Sequence, residues 1–118
     1  MKYILLAYAD EQLLDAMPSN ERDALGNACL ANDQALRTSG HLLAVEGLQS
    51  SRTASTVRVH NGSLSVADGP YAETPEQLLG IFTIDARDLN EAIQVAARMP
   101  QARAGPIEVR PILALNQQ

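Results

Sequence analysis

The stretch TVRVHNGSLSVAD, residues 56–68, determines the local geometry around which the rest of the chain can be arranged. Asn61-Gly62 is the dipeptide most typical of a two-residue type I′ hairpin turn, because both turn positions require positive φ. With this dipeptide as the loop, the apolar residues pair on one face: Val59 with Leu64, and Val57 with Val66. The pattern therefore predicts a β-hairpin, and period-two alternation places Asp68 on the same apolar face, pointing inward.

The segments on both sides of the hairpin show strand and helix patterns. Apolar runs predict strands at residues 2–9, 41–48, 79–86 and 106–113. One helix is predicted from Ser19, as its N-cap, to Gly40, and another from Asp88 to the residue before Pro100. The order β-α-β, hairpin, β-α-β within a single domain, residues 1–118, predicts an α+β, ferredoxin-like split βαβ sheet. The hairpin is an insertion, and both helices lie on one face.

The junction VADGPYAETPEQLLGIF, residues 66–82, joins the hairpin to the third of these strands. Gly69 permits a sharp bend and Pro70 restricts its own φ, so the pair predicts a tight turn directly after Asp68. The segment TPEQ at 74–77 matches a capping box with Thr74 as the cap, which predicts a short helical turn.

Composition and charge argue against several classes of protein. The net charge is −5, and the nine basic residues are spread along the chain, which argues against binding to nucleic acid or to anionic membranes. The apolar run Tyr3–Ala9 is short and is followed at once by Asp10, so it is interpreted as a strand and not as a signal peptide. Cys29 is the single cysteine, which fits a reducing cytoplasm.

No cofactor or metal site is predicted. Two distant histidines and one cysteine do not form a cluster of metal ligands, although a site made of carboxylates alone stays open. The sequence also has no Gly-rich phosphate loop, nucleophile elbow or dinucleotide fingerprint.

Asp68 and Arg110 are the principal candidates for a functional site. The usual local partner of a turn aspartate is the N–H two residues on, and Pro70 has none. Asp68 therefore serves either as a structural turn residue or as an acid or base in a pocket. Arg110 either binds a ligand carboxylate or pairs with Glu46 or Asp68, and an ion pair or an edge-strand charge is the favoured interpretation.

Three further residues are candidate ligand-binding residues, each with a plainer interpretation. Glu46 can be a solvent-facing strand position, Tyr71 can simply pack in its loop, and Glu73 can be a charge near a helix start. Asn32 interrupts the apolar stripe of the first helix, so it either bonds to a neighbouring strand or lines a cavity.

The strands predict a second apolar surface. In Tyr3–Ala9 and Ile81–Ile84, apolar residues occur at both odd and even positions, so both faces of these strands are apolar. Helices on one side cover only one face of the sheet. An apolar face of this size needs a cover, and the same sheet from a second copy is the simplest one. The sequence therefore predicts a homodimer.

Four segments carry a resemblance to a known family. They are MKYILLAYAD at 1–10, EGLQ at 46–49, DGPYAETPEQLLGIFTIDARDLNEAIQVAARMP at 68–100 and GPIEVRP at 105–111. Together they resemble the DGPF group of the YCII-related family, over nearly the whole chain. The resemblance implies a ferredoxin-like fold of the dimeric α+β barrel type, usually a homodimer. YCII-like proteins have been suspected of catalysis by a His–Asp pair, but this chain has no histidine between Ser19 and Gly40, so that pair is not carried over.

Two functions are compatible with these observations. One is an enzyme acting on a small molecule in a pocket between sheet, hairpin and partner subunit, with Asp68 as the acid or base and Arg110 as the anion anchor. The other is a non-catalytic ligand-sensing or regulatory module, because DGPF-type domains occur fused to or beside extracytoplasmic-function sigma factors. The absence of a histidine from the first helix favours the second.

Overall fold

A computed structural model describes residues 1–114 of the chain. Its strands are β1 (Lys2–Asp10), β2 (Leu42–Gly47), β3 (Ser55–His60), β4 (Ser63–Asp68), β5 (Glu76–Asp85) and β6 (Ile107–Pro111). Its helices are α1 (Glu11–Ala16), α2 (Ser19–Thr38) and α3 (Leu89–Arg98), with short 3₁₀ turns at Ser51–Thr53 and Pro100–Arg103. Within the described range, no helix combines the length and the apolar character required to cross a membrane.

Four strands form the main sheet in the order β2-β5-β1-β6, and all neighbouring pairs are antiparallel. The connection through α2 joins β1 to β2 on the far side of β5, and the connection through α3 joins β5 to β6 on the far side of β1. This arrangement is the ferredoxin-like split βαβ sheet predicted from the sequence. Strands β3 and β4 form a separate two-stranded sheet, which is the inserted hairpin.

The helices cover one face of the main sheet. Alternate residues of β1 on this face are buried: Tyr3, Leu5, Ala7 and Ala9. They form a core with Phe82 and Ile84 of β5 and with Val95 and Met99 at the end of α3. Tyr3, Leu5, Ile84 and Met99 are the most completely buried large side chains, so this layer supplies most of the hydrophobic stabilisation.

The opposite face of the main sheet is also apolar along its centre. We call this surface the open face; its central residues are Ile4, Leu6, Tyr8, Leu78 and Ile81, and all are half-buried. Four residues on neighbouring strands lie side by side across the whole sheet, in the order Glu46, Ile81, Leu6 and Glu108. Charged residues therefore lie on the two edge strands and apolar residues lie between them.

The hairpin has the predicted register, with Val59 opposite Leu64 and Val57 opposite Val66. Asn61 and Gly62 have φ values of 49° and 79°, so both turn residues are left-handed, as a type I′ turn requires. The four apolar side chains on this face are all largely exposed in the single chain.

Replacing Gly62 by valine is expected to weaken the hairpin by about 1–2 kcal/mol, because a β-branched residue is strained in the left-handed region. Since the hairpin is a separate sheet, the loss should be measured as faster amide hydrogen exchange across β3 and β4 and not mainly as a lower melting temperature. Gly62→Asn is the matched control, because asparagine tolerates this conformation. Equal exchange in both variants would contradict the assigned turn.

Two details of the helices differ from the sequence prediction. Pro18 is the N-cap of α2 and no side chain caps the helix, so the capping role predicted for Ser19 is wrong. Helix α1 was not predicted; it begins after Asp10, whose Oδ1 accepts from the backbone N–H of Gln12 at 2.9 Å. The cap predicted at α3 is confirmed, since Asp88 Oδ1 accepts from the N–H of Glu91 at 2.9 Å.

Candidate functional site

The best-formed cleft beside the predicted site residues lies where the hairpin joins the main sheet. It has a volume of about 520 Å³, and we call it the hairpin-base cleft. Its floor is formed by Tyr8 of β1 and Leu78 of β5, one wall by residues 48–54, and the other by residues 70–77. Pro70 and Tyr71 of the DGPY segment, together with the residues that follow them, therefore form one side of a cavity.

Gly69 connects the two walls of the cleft, which we call the loop wall (residues 70–77) and the connector wall (residues 48–54). Its φ of +111° lies in the region that favours glycine. Its N–H donates to the carbonyl of Ala54 at 2.7 Å, and its own carbonyl accepts from Thr56 Oγ1 at 2.9 Å. Glycine at this position thus lets the chain leave β4 and cross directly to the mouth of the cleft.

Gln77 and Thr74 support the remainder of the loop. Gln77 Nε2 donates to the carbonyl of Ala72 at 2.7 Å and to that of Thr74 at 2.8 Å, and Thr74 Oγ1 donates to the carbonyl of Glu76 at 2.9 Å. The helical turn predicted for residues 74–77 is wrong, because Glu76 and Gln77 pair with β1 as the first residues of β5. Pairing with β1 outweighs the local preference of these residues for a capped helical turn.

The connector wall is tied to α1 by Glu11. Glu11 Oε1 accepts from the backbone N–H of Ser51 at 3.0 Å and also from the Ser51 hydroxyl. These hydrogen bonds, led by the one from the Ser51 side chain, hold the pKa of the Glu11 carboxyl below its ordinary value. The charged carboxylate is thus the form that holds the wall in place.

Tyr8 connects the floor of the cleft to two charged residues of β6. Its hydroxyl donates to Glu108 Oε1 at 3.3 Å, and Glu108 Oε2 lies 3.5 Å from Arg110 Nη1. Burial raises the pKa of Tyr8 and the Glu108 charge adds to the rise, whereas Arg110 opposes it. The phenol therefore keeps its proton at neutral pH and serves as a hydrogen-bond donor, not as a base.

Arg110 pairs with Glu108, and not with Glu46 or Asp68 as the sequence analysis had considered. Glu108 and Arg110 are two residues apart on β6, so their side chains lie on the same face of the sheet. The internal ion pair on an edge strand, which was the favoured interpretation, is what the structure contains.

The other predicted site residues are not gathered at one point. Asp68 ends β4 opposite Ser55 and is exposed, so the inward orientation predicted for it is not met in the single chain. Tyr71 forms part of the cleft wall, with the Arg58 guanidinium 5.1 Å from the centre of its ring. Glu73 is exposed in the loop. Glu46 is in register with Ile81 and Leu6, so its side chain belongs to the open face, although the residue also borders a second cavity on the helix-covered side of the sheet.

The lining of the cleft suits binding better than metal chemistry. Its polar groups are mainly hydroxyls and amides, and residues 1–114 contain no group of three or more histidine, cysteine or acidic side chains placed to hold a metal ion. Tyr8, Ser51 and Gln77 were not predicted from the sequence as site residues. Tyr8 could have been found from the sequence, because it points to the opposite face of β1 from Tyr3 and Leu5.

Comparisons with known proteins give matches over nearly the whole chain. The model of a family described as the YCII-related domain matches residues 1–116. A relative from Rhizobium meliloti (strain 1021), described as an uncharacterized protein, is 36% identical over 114 residues, which cover 95% of this chain and 92% of the relative.

Proposed function

Because this chain belongs to the YCII-related domain family, we propose that it binds a small molecule in the hairpin-base cleft. The observation that carries the proposal is the cleft itself, because its volume of about 520 Å³ falls in the range of small-molecule sites. Pro70 and Tyr71, which belong to the segment that resembles the DGPF group, would then border the ligand.

The cleft favours a polar ligand without a strong negative charge. Ser50, Thr53 and Tyr71, which carry hydroxyl groups, line it, and Tyr8, whose own proton is donated to Glu108, lies at the floor. Such donors suit carbonyl or hydroxyl oxygens of a ligand. Arg110 is a weaker candidate for an anion anchor than the sequence alone indicated, because Glu108 already offsets its charge.

We propose further that two copies pack through the open face and so cover the region around Tyr8. Apolar residues such as Leu6 and Ile81 form the centre of that face, and Glu46 and Arg110 lie on opposite edge strands. A two-fold axis can bring the two open faces together, so that their apolar centres are removed from water. The pocket would then lie near the dimer interface.

Asp68 is the proposed acid or base if the ligand is transformed. It lies two residues before Pro70, which lines the cleft. Among the described residues, however, its carboxylate has no hydrogen-bond or ion-pair partner to orient it. This observation favours the second function, a ligand-sensing module that works with a partner such as an extracytoplasmic-function sigma factor.

A thermal-shift screen of small metabolites tests the binding proposal, because a ligand of the folded state raises its apparent stability. At a ligand concentration of about 100 Kd the stabilisation is about 2.7 kcal/mol. Ala72→Trp fills the cleft and should abolish the shift. Ala31→Trp makes the same change on the exposed surface of α2 and should leave the shift intact.

The screen also separates the two functions. Loss of turnover in Asp68→Asn, with the ligand still bound, supports catalysis, whereas unchanged binding with no turnover in either protein supports sensing. Ligands that bind equally well to the wild type and Ala72→Trp would place the site elsewhere and overturn the proposal.

A further inference from the structure

The inserted hairpin, residues 55–68, presents an apolar face that the rest of the described chain does not cover. Four aliphatic side chains form this face and are between 59% and 69% exposed: Val57, Val59, Leu64 and Val66. They pair across the two strands, so they make one continuous surface with no charged residue between them. A two-stranded hairpin on its own is only marginally stable in water, so this surface needs a cover.

The polar face of the hairpin has a different environment. Thr56 Oγ1 donates to the carbonyl of Gly69 at 2.9 Å, and the Arg58 guanidinium lies 5.1 Å from the centre of the Tyr71 ring. Thr56 and Arg58 alternate with the two valines of β3, so their side chains lie on the opposite face from them. The polar face is therefore held by the loop that follows the hairpin, and the apolar face is the one left exposed.

The shape of the molecule is that of a body with a projecting arm. Its principal extents are 51 × 47 × 18 Å and its Cα radius of gyration is 16.3 Å, whereas a compact chain of this length has about 13–14 Å. Strands β3 and β4 are hydrogen-bonded to each other and, within residues 1–114, to no strand of the main sheet. Both connections of the hairpin lie beside Tyr8 and Leu78 in the hairpin-base cleft, so the arm begins at the border of the open face.

We propose that the hairpin is a dimerisation arm whose apolar face packs against a second copy of this chain. The proposal rests on the dimer proposed above and adds a contact to it, because a copy placed on the open face lies next to the base of the arm. The four side chains expose roughly 400 Å² of apolar surface, a patch of the size that marks interaction sites. Two arms and the equal areas that they cover bury about 1,600 Å², which is what a stable interface of standard size needs.

A pair of neighbouring substitutions tests the arm. Leu64→Asp puts a charge into the apolar face, whereas Ser65→Asp puts the same charge on the polar face. In sedimentation equilibrium of the full chain, Leu64→Asp should raise the dimer dissociation constant about tenfold or more, because docking must then desolvate a carboxylate. Ser65→Asp should leave the constant within about threefold of the wild type. Leu64 is 68% exposed in the single chain, so the variant is expected to fold, and circular dichroism verifies this.

A second measurement uses the wild type alone. In dimers assembled from isotope-labelled and unlabelled copies, isotope-filtered NOEs should connect the methyl groups of Val59 and Leu64 to protons of the unlabelled copy. A dimer in which these methyl groups have no contact with the other copy would overturn the arm. A Leu64→Asp protein that associates as tightly as the wild type would do the same.

The results also separate the arm from the open-face contact and from ligand binding. Leu6→Arg changes the open face alone, so both Leu6→Arg and Leu64→Asp should weaken the dimer. If only Leu64→Asp weakens it, the arm is retained and the open-face contact is wrong; if only Leu6→Arg does, the arm is wrong. A monomeric wild type overturns both contacts. Ligand binding is measured separately by thermal shift, because the hairpin-base cleft lies within one chain.

Discussion

Replacing Gly105 by alanine is expected to unfold the protein or to destabilise it by several kcal/mol. A Cβ at this position would lie 1.9 Å from the carbonyl oxygen of Tyr8 and 3.0 Å from Cα of Ala9. Both are backbone atoms of β1, and the N–H of Tyr8 is bonded to the carbonyl of Pro106 at 3.0 Å. Relief therefore requires a shift of the central strand. Ordinary overpacking costs about 1–3 kcal/mol, and a backbone clash exceeds it.

Gly26→Ala is the matched control for that change. Gly26 lies inside α2 and a Cβ there meets nothing within 4 Å, so alanine should stabilise the helix by about 0.5–1 kcal/mol. Urea denaturation of both variants measures the contrast. A Gly105→Ala protein as stable as the wild type would mean that residues 104–106 do not lie against β1.

Replacing Leu6 by arginine is expected to convert the proposed dimer into a monomer. Leu6 lies at the centre of the open face, so each copy would bury an unpaired guanidinium in the interface. Such a charge costs about 3–5 kcal/mol, which corresponds to a dissociation constant more than a hundredfold higher. Size exclusion with light scattering should give twice the 12.7 kDa chain mass for the wild type and a single chain mass for the variant.

Leu30→Arg is the control, because Leu30 lies on the exposed side of α2 with 66% of its surface accessible. That variant should remain dimeric. A wild type of one chain mass at micromolar concentration would refute the dimer, and a dimeric Leu6→Arg protein would place the interface on another surface.

The parts of the fold that sequence predicted well are those specified by neighbouring residues. The hairpin follows from Asn61-Gly62 and from apolar residues that pair on one side of it, and the cap of α3 follows from Asp88. Each depends on contacts within a few residues, which a sequence pattern contains directly.

The incorrect predictions depend on distant partners. Residues 74–77 match a capping box, but Glu76 and Gln77 pair with β1, and this strand pairing outweighs the local preference for a helical turn. Asp68 alternates as predicted, yet the sequence does not state that the face it shares with Val66 is exposed in a single chain. Arg110 forms the ion pair on an edge strand that was favoured, although its partner is Glu108 of its own strand and not Glu46 or Asp68.

The half-buried Asp33 of α2 was not predicted, although its position could be read from the sequence. Leu25, Cys29 and Asp33 follow one another at intervals of four residues, and this spacing puts an acid on the inner stripe of the helix. Asn32 was noticed there and Asp33 was not. An acidic residue on a half-buried stripe was the signal for the second cavity, which Asp33 borders.

The pairing of β1 also sets an order of assembly. β1 leaves the ribosome before the other strands, but both of its neighbours come much later, one at Glu76–Asp85 and the other at Ile107–Pro111. The hairpin can close within microseconds once Asp68 is made, whereas the sheet must wait for two long loops to close. During synthesis β1 therefore stays apolar on both faces and unpaired at both edges, which is the condition in which chains aggregate or bind chaperones.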